Sequence, residues 1–279
     1  MTRGAVHTLL VVGALLAVPA RAESRKLAYN PSISIPIASV ATVGWFGSEL
    51  LKKHLAPIAC RWCNGVPAVD TAVRNALVWQ DTKTPNMLSN VSGFVLVPLA
   101  GVGLTALAAY HNDALGNFDD GPGNFAADTV IIAEATAIAA DLNQISKFLV
   151  GRERPFVHAL SSDGKRTTAQ PSDNNLSFYS GHTNMAFALA VSSGTVASMR
   201  GYKWAPGVWA TGLSLAATTG YLRIAADKHY FSDVMTGAVI GSVVGFAVPY
   251  FFHRADSTLP VQTGSSGQKI GALSIAWTF

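Results

Sequence analysis

Residues 141–156 read DLNQISKFLVGRERPF, an apolar run that ends in a burst of cations. Lys147, Arg152 and Arg154 fall within eight positions, and Pro155 stops a helix there. Only 13% of the chain is charged, so this clustering asks for a cause. Cations at a helix C-terminus complement the macrodipole and anchor membrane helices at the headgroups. Alternatively, they converge on an anion. The stretch by itself favours the first cause, and the rest of the chain changes the balance.

Outward from this run, apolar segments recur at 33–51, 91–110, 125–147, 183–199, 206–222 and 233–252, separated by turn-rich stretches. No strand-like alternation runs through them, so the expected fold is all-α, a bundle of about six apolar helices. Segments 91–110 and 233–252 are long enough to cross a hydrocarbon layer of ~30 Å. The 125–147 segment carries Asp128, Glu134 and Asp141, which a membrane tolerates only in a bundle interior or against water. A membrane-embedded bundle is expected, with a soluble periplasmic one as the alternative. Arg200, Lys203, His253 and Arg254 agree with a cytoplasmic placement of their end.

Composition agrees. The 279 residues are 49% hydrophobic, with a mean hydropathy of +0.30. The net charge of +4 comes without a Lys/Arg run, which excludes a nucleic-acid surface. Residues 1–22 read as a signal peptide: Arg3, an apolar core at 9–18, then Ala20-Arg21-Ala22. If that signal is cleaved, keeping the polar loops outside requires that 33–51 not cross. The expected organisation is signal peptide 1–22, N-terminal segment 23–85, helical core 86–254 and tail 255–279. The tail alternates at Leu273, Ile275, Trp277 and Phe279, an extended pattern. Cys60 and Cys63 form a CxxC pair that is a redox centre, half a zinc site or a disulfide. In an exported chain the disulfide is favoured.

Three short stretches carry the chemistry. They are Lys147-x6-Arg154-Pro155, then Ser180-Gly181-His182 before an apolar helix, then Arg223-x5-His229-x3-Asp233. Two guanidinium groups and an ammonium suit a phosphate dianion. A glycine at a helix start opens backbone N–H groups to an anion. Asp233 lies one turn after His229, where it can fix the imidazole tautomer and leave the other nitrogen to attack. His182 is then left to protonate the leaving oxygen.

In this order the stretches resemble the signature of the type 2 phosphatidic acid phosphatase and vanadium haloperoxidase superfamily, over about residues 86–254. The resemblance implies a helical core with its site at the membrane surface. It implies His229 as the nucleophile of a phosphohistidine intermediate, Asp233 as its orienter and His182 as the acid. Lys147, Arg154, Arg223, Ser180 and the Gly181 backbone would bind phosphate, and no metal would be needed. Tyr179 and Leu222 stand where the family usually has proline and serine. Arg152 and Lys228 are additional cations, either solvated at the site mouth or reaching a second phosphate.

The expected function is a metal-independent phosphatase of the bacterial cell envelope, in the inner membrane with a periplasm-facing site. It would act on phosphomonoesters or pyrophosphates, of lipids first and small phosphoesters otherwise. A vanadate-dependent haloperoxidase, with vanadate as cofactor, a soluble periplasmic acid phosphatase and a non-catalytic anion-binding module are the alternatives.

Overall fold

Asn30 caps the first long helix by accepting a hydrogen bond from the Ser32 amide at 3.0 Å, and Pro31 occupies its first position. The computed structural model describes residues 26–113 and 121–254. The proposed signal peptide and the extended tail lie outside the described residues.

Helix α1 spans Pro31–Leu50 and is followed by the short α2, Lys52–Leu55, and by α3, Ala68–Leu77. Helix α4, Lys83–Val91, runs through a π-helical stretch, Ser92–Leu96, into α5, Val97–Asp113. Helix α6 is Gly121–Val150, and the short α7, Pro155–His158, and α8, Ser162–Arg166, lie in the loop after it. Helices α9, Gly181–Arg200, α10, Ala205–Ala225, and α11, Phe231–Ala247, complete the bundle, α11 ending in a π-helical turn, Val248–Phe252. The described residues are therefore all-α, and the six apolar segments form the six long helical rods among them.

Helix α9 is the hub, packed by α5, α6, α10 and α11. Its residues are small (Ala186, Ala188, Ala190, Ser192, Ser193), so neighbouring backbones approach closely. The tightest approach is α11, where a Cβ on Gly241 would overlap the Asn184 carbonyl. The acidic residues of α6 face inward as expected. Asp128 is fully buried and accepts from Arg200 Nε and Tyr202 Oη, both at 2.8 Å.

Among the described residues, three helical stretches are long and apolar enough to cross a membrane: Pro31–Leu50, Lys83–Tyr110 and Phe231–Phe252. The first lies over the 33–51 segment and meets the same length and composition as the two expected spans. Helix α1 runs parallel to α6, with Gly44 against Asp141 and Glu49 accepting from Gln144 at 2.7 Å. Its start is tied to the end of α11, where Ala28 N donates to His253 O at 2.9 Å. Helix α1 packs along α6, and α3 packs on α10 and α11.

Candidate active site

Every long rod has one end at the same face of the bundle, and the three motifs meet there. Ser180 is the N-cap of α9, fully buried, with Oγ 2.8 Å from Thr183 Oγ1 and its amide donating to Asp233 O at 3.1 Å. Gly181 follows because nothing larger fits. A Cβ there would lie 2.7 Å from Asn143 Oδ1 and 2.9 Å from Lys147 Nζ. The missing side chain lets the α6 ammonium approach the amide end of α9, an arrangement suited to an anion. Asn143 fixes the entry to α9 by donating to Tyr179 O at 2.8 Å.

A cavity of about 440 Å³ opens at this face. Lys147, Arg154, Gly181, His182, Arg223 and His229 line it. Ser180 and Asp233 stand behind the wall. Arg154 Nη1 lies 3.3 Å from His229 Nε2, which places that nitrogen beside the cations. Arg223 is held by α4: its Nη1 donates to Asn86 Oδ1 and Ser89 Oγ, each at 3.0 Å. Arg223 Nε is buried with no hydrogen-bond partner among the described residues. A buried guanidinium donor without an acceptor is costly, and an anion in the cavity would relieve it.

His229 is 2% exposed. Its Nδ1 donates to the Ser177 carbonyl at 2.8 Å, while Asp233 Oδ2 is 3.8 Å away. The carboxylate therefore holds the imidazole indirectly. It accepts from Ser177 Oγ at 2.5 Å and from the Tyr230 amide at 2.9 Å, fixing residues on both sides of the ring. Burial, reinforced by Arg154, Arg223 and Lys147, holds the His229 pKa well below the ordinary imidazole value. The ring is thus neutral, with Nε2 as a lone-pair donor.

Behind His229 lies a second charged cluster that the sequence did not reveal. Arg152 is 2% exposed and bridges Asp233 Oδ1 at 2.5 Å and Asp70 Oδ2 at 2.8 Å. Trp62 and Tyr230 sandwich its guanidinium, each ring centroid 4.2 Å away. Arg152 is therefore neither a solvated mouth charge nor a phosphate contact. Lys228 is half-buried with Nζ 4.3 Å from the Phe156 ring centroid. Asp70 also accepts from Ser232 N and Oγ at 2.7 and 2.6 Å. One turn later on α3, Arg74 makes a two-point bond at 2.6 Å to Asp227, whose φ is 56°. Helix α3 so grips the loop 227–233 at both ends.

Cys60 and Cys63 are joined in a disulfide. Between them Trp62 pairs with Arg152, Arg61 N donates to Gly151 O at 3.0 Å, and Arg61 Nη1 donates to Leu149 O at 2.9 Å. The CxxC loop thus closes the end of α6.

At the cavity mouth, α1 contributes Trp45, Phe46 and Glu49, and α2 contributes Lys52. Lys52 pairs with Glu49 at 2.6 Å and Asp173 at 3.0 Å. Burial pushes the Asp173 carboxyl up, but Arg154 and Lys52 outweigh it and hold its pKa at about 2.

Over residues 128–257 the sequence matches the PAP2 superfamily. It is 26% identical over 165 residues to phospholipid phosphatase 2 of Rattus norvegicus, covering 51% of this chain and 60% of that one. It is 31% identical over 109 residues to lipid A 1-phosphatase of Porphyromonas gingivalis, 39% of this chain and 20% of that protein. Undecaprenyl-diphosphatase of Sulfolobus acidocaldarius is 29% identical over 119 residues, 42% and 51% of the two chains. This chain spans less than two thirds of the length of each.

Proposed function

We propose that this chain, whose residues 128–257 match the PAP2 superfamily, is a membrane phosphatase that hydrolyses lipid phosphate esters without a metal ion. The observation that carries this reading is the cavity itself. Three cations surround a neutral, buried imidazole nitrogen, and one of them keeps a donor unengaged.

In this mechanism Lys147, Arg154 and Arg223 neutralise the phosphoryl oxygens, and His229 Nε2 attacks phosphorus in line. The P–O bond to the alcohol breaks and a P–N bond forms. His182 donates a proton to the departing oxygen, giving the free alcohol. Water then attacks the phosphohistidine, the P–N bond breaks, His182 takes the proton and inorganic phosphate leaves. Ser180 shapes the α9 entry in this scheme, and Asp233 orients His229 through Ser177 and Tyr230.

A lipid substrate is supported by the surroundings. The mouth carries Trp45, Phe46 and Phe94, and α1 exposes Ile33, Ile37, Val40, Val43 and Phe46 along its length. The relatives named for phospholipid and lipid A substrates point the same way. The proposed location is a bacterial inner membrane. Arg200, Lys203 and Arg254 would sit on the cytoplasmic side and the cavity on the periplasmic side.

Phosphate release by detergent-purified protein in EDTA, compared with His229→Ala, tests this. Release from lipid phosphates that vanishes in the variant is the expected result. Undiminished release by His229→Ala overturns the mechanism, and release confined to small soluble esters overturns the lipid substrate.

A further inference from the structure

Helix α4 precedes the matched region, and its sequence, KTPNMLSNV, carries no charged group beyond Lys83. Yet Asn86, Ser89 and Asn90, at helical spacings of three and four, occupy one face, and all three side chains engage the site. Asn86 and Ser89 hold Arg223. Asn90 Oδ1 lies 2.8 Å from His182 Nε2.

The His182 ring is fixed from three directions by this one rod. Asn90 takes its Nε2. Phe94, in the π-helical stretch, meets the ring edge-on with centroids 4.6 Å apart. Gly93 lies between them, where a Cβ would sit 3.6 Å from His182 Cδ2 and 3.3 Å from Thr219 Cγ2. π-helical turns commonly occur where a side chain must be placed for function.

We infer that Asn90 is a positioning residue for the leaving-group proton. It keeps His182 Nε2 protonated, so that Nδ1 is the nitrogen that exchanges a proton with substrate. The amide oxygen of Asn90 only accepts, so the ring must present an N–H to it. With Nε2–H committed, the second proton of the ring sits on Nδ1; burial and Arg223 disfavour this imidazolium until the phosphate dianion offsets the cations, and its Nδ1 proton passes to the departing alcohol oxygen as the P–O bond breaks. Neutral Nδ1 then accepts the proton of the attacking water. Asn90 itself exchanges no proton. This inference rests on the phosphatase reading above and adds a residue that no motif contains.

The test uses leaving-group chemistry, which a purely structural role would not sense. Phosphatidic acid and 4-nitrophenyl phosphate share the transferred group, but a nitrophenolate departs without help from an acid. Both are assayed in the same detergent micelles with native protein, Asn90→Leu, Asn90→Asp, His182→Ala and the Asn90→Leu/His182→Ala double variant. General acid catalysis contributes roughly 10²–10⁴-fold. Partial loss of it in Asn90→Leu is expected to lower kcat on phosphatidic acid by about 10–100-fold, against less than about threefold on the aryl ester. KM should change little on either. The double variant should be no worse than His182→Ala alone, because the two residues act as one unit.

Asn90→Asp keeps an oxygen acceptor of the same shape and should restore most of the alkyl-ester rate. It also carries the test if the leucine variant does not fold. Equal losses on the two esters, or additive losses in the double variant, overturn the inference while leaving the phosphatase reading intact. Native protein inactive on both esters overturns the reading and this inference with it.

Discussion

The two sides of His229 are built on opposite principles. The cavity side gathers Lys147, Arg154 and Arg223 with looser pairing: Arg154 meets the Asp173 carboxylate only at 3.5 Å, and Arg223 Nε has no partner among the described residues. The opposite side gathers Asp70, Arg152 and Asp233, where each charge meets its counter-charge at 2.8 Å or closer. Both sets are buried. A buried charge without a partner is expensive, whereas a buried paired charge is rigid and costly to break. The cavity side is therefore completed by substrate, and the opposite side is completed by folding. The difference separates residues that bind from residues that hold.

That contrast breaks first, if it is wrong, at Arg223. Replacing it with alanine removes a phosphate donor whose effect is concentrated in the transition state. A loss of about 10²–10³-fold in kcat/KM is expected, as for other single electrostatic contacts. The folded protein should lose little stability, since a buried cation with an unmet donor is gone and only its two bonds to Asn86 and Ser89 are lost. Thermal unfolding in detergent alongside the lipid assay checks both halves. A large drop in stability would mean that Arg223 is a holding residue after all.

Asp70→Ala makes the mirror-image test. It leaves Arg152 with Asp233 as its only carboxylate and removes the acceptor of the Ser232 amide. Breaking a buried pair of this kind costs about 3–5 kcal/mol, and the retained Asp233 contact argues for the lower end. Unfolding should shift accordingly, while KM for phosphatidic acid stays near native because no cavity wall has changed. A pure KM effect with native stability would erase the distinction between the two sides.

The CxxC loop belongs to the holding side and should show a smaller effect. A disulfide closing four residues restricts little of the unfolded chain, so Cys60→Ser with Cys63→Ser should cost no more than about 2 kcal/mol. Trp62 stays attached to the Arg152 backbone through its own bridge, and the lipid rate should remain within about threefold of native. Complete loss of activity on reduction would make the disulfide part of the site.

The cavity side was legible in sequence and the holding side was not, for a physical reason. Lys147, Gly181, His182 and His229 sit at helix ends beside turn-forming residues, so short spacings announce them. The six rods were equally plain as apolar runs. Asp70 reaches Arg152 and Ser232, and Arg74 reaches Asp227, across gaps of 82, 162 and 153 residues. Pairings at that separation leave no local trace. Arg152 was misread for the same cause: its partners are distant, so it resembled an exposed cation. Asn90 hid in a polar stretch before an apolar run. Its one signal was the spacing of Asn86, Ser89 and Asn90, which matches a helix face.

The finest test of the contrast is electrostatic. Burial and the three cations hold His229 below the ordinary imidazole pKa of ~6.5, so the nucleophile stays neutral as pH falls through that value. Native kcat/KM on 4-nitrophenyl phosphate should lose His229 only at a lower pH. Lys147→Met removes one positive charge beside the ring. The imidazolium becomes easier to form, and the acid limb moves upward. Lys147 contributes less to the shift than burial, Arg154 or Arg223, so the displacement should be under about one pH unit, or about 1.4 kcal/mol. Substrate titration is common to both proteins and cancels in the comparison. Stability moves with the same sign. Below ~6.5 the unfolded chain takes up a proton at His229 that the native fold refuses, so this residue's contribution falls with falling pH. In Lys147→Met that acid penalty should be smaller. An acid limb unmoved by Lys147→Met would mean that its ammonium does not act on His229, and that the cavity cations serve substrate alone.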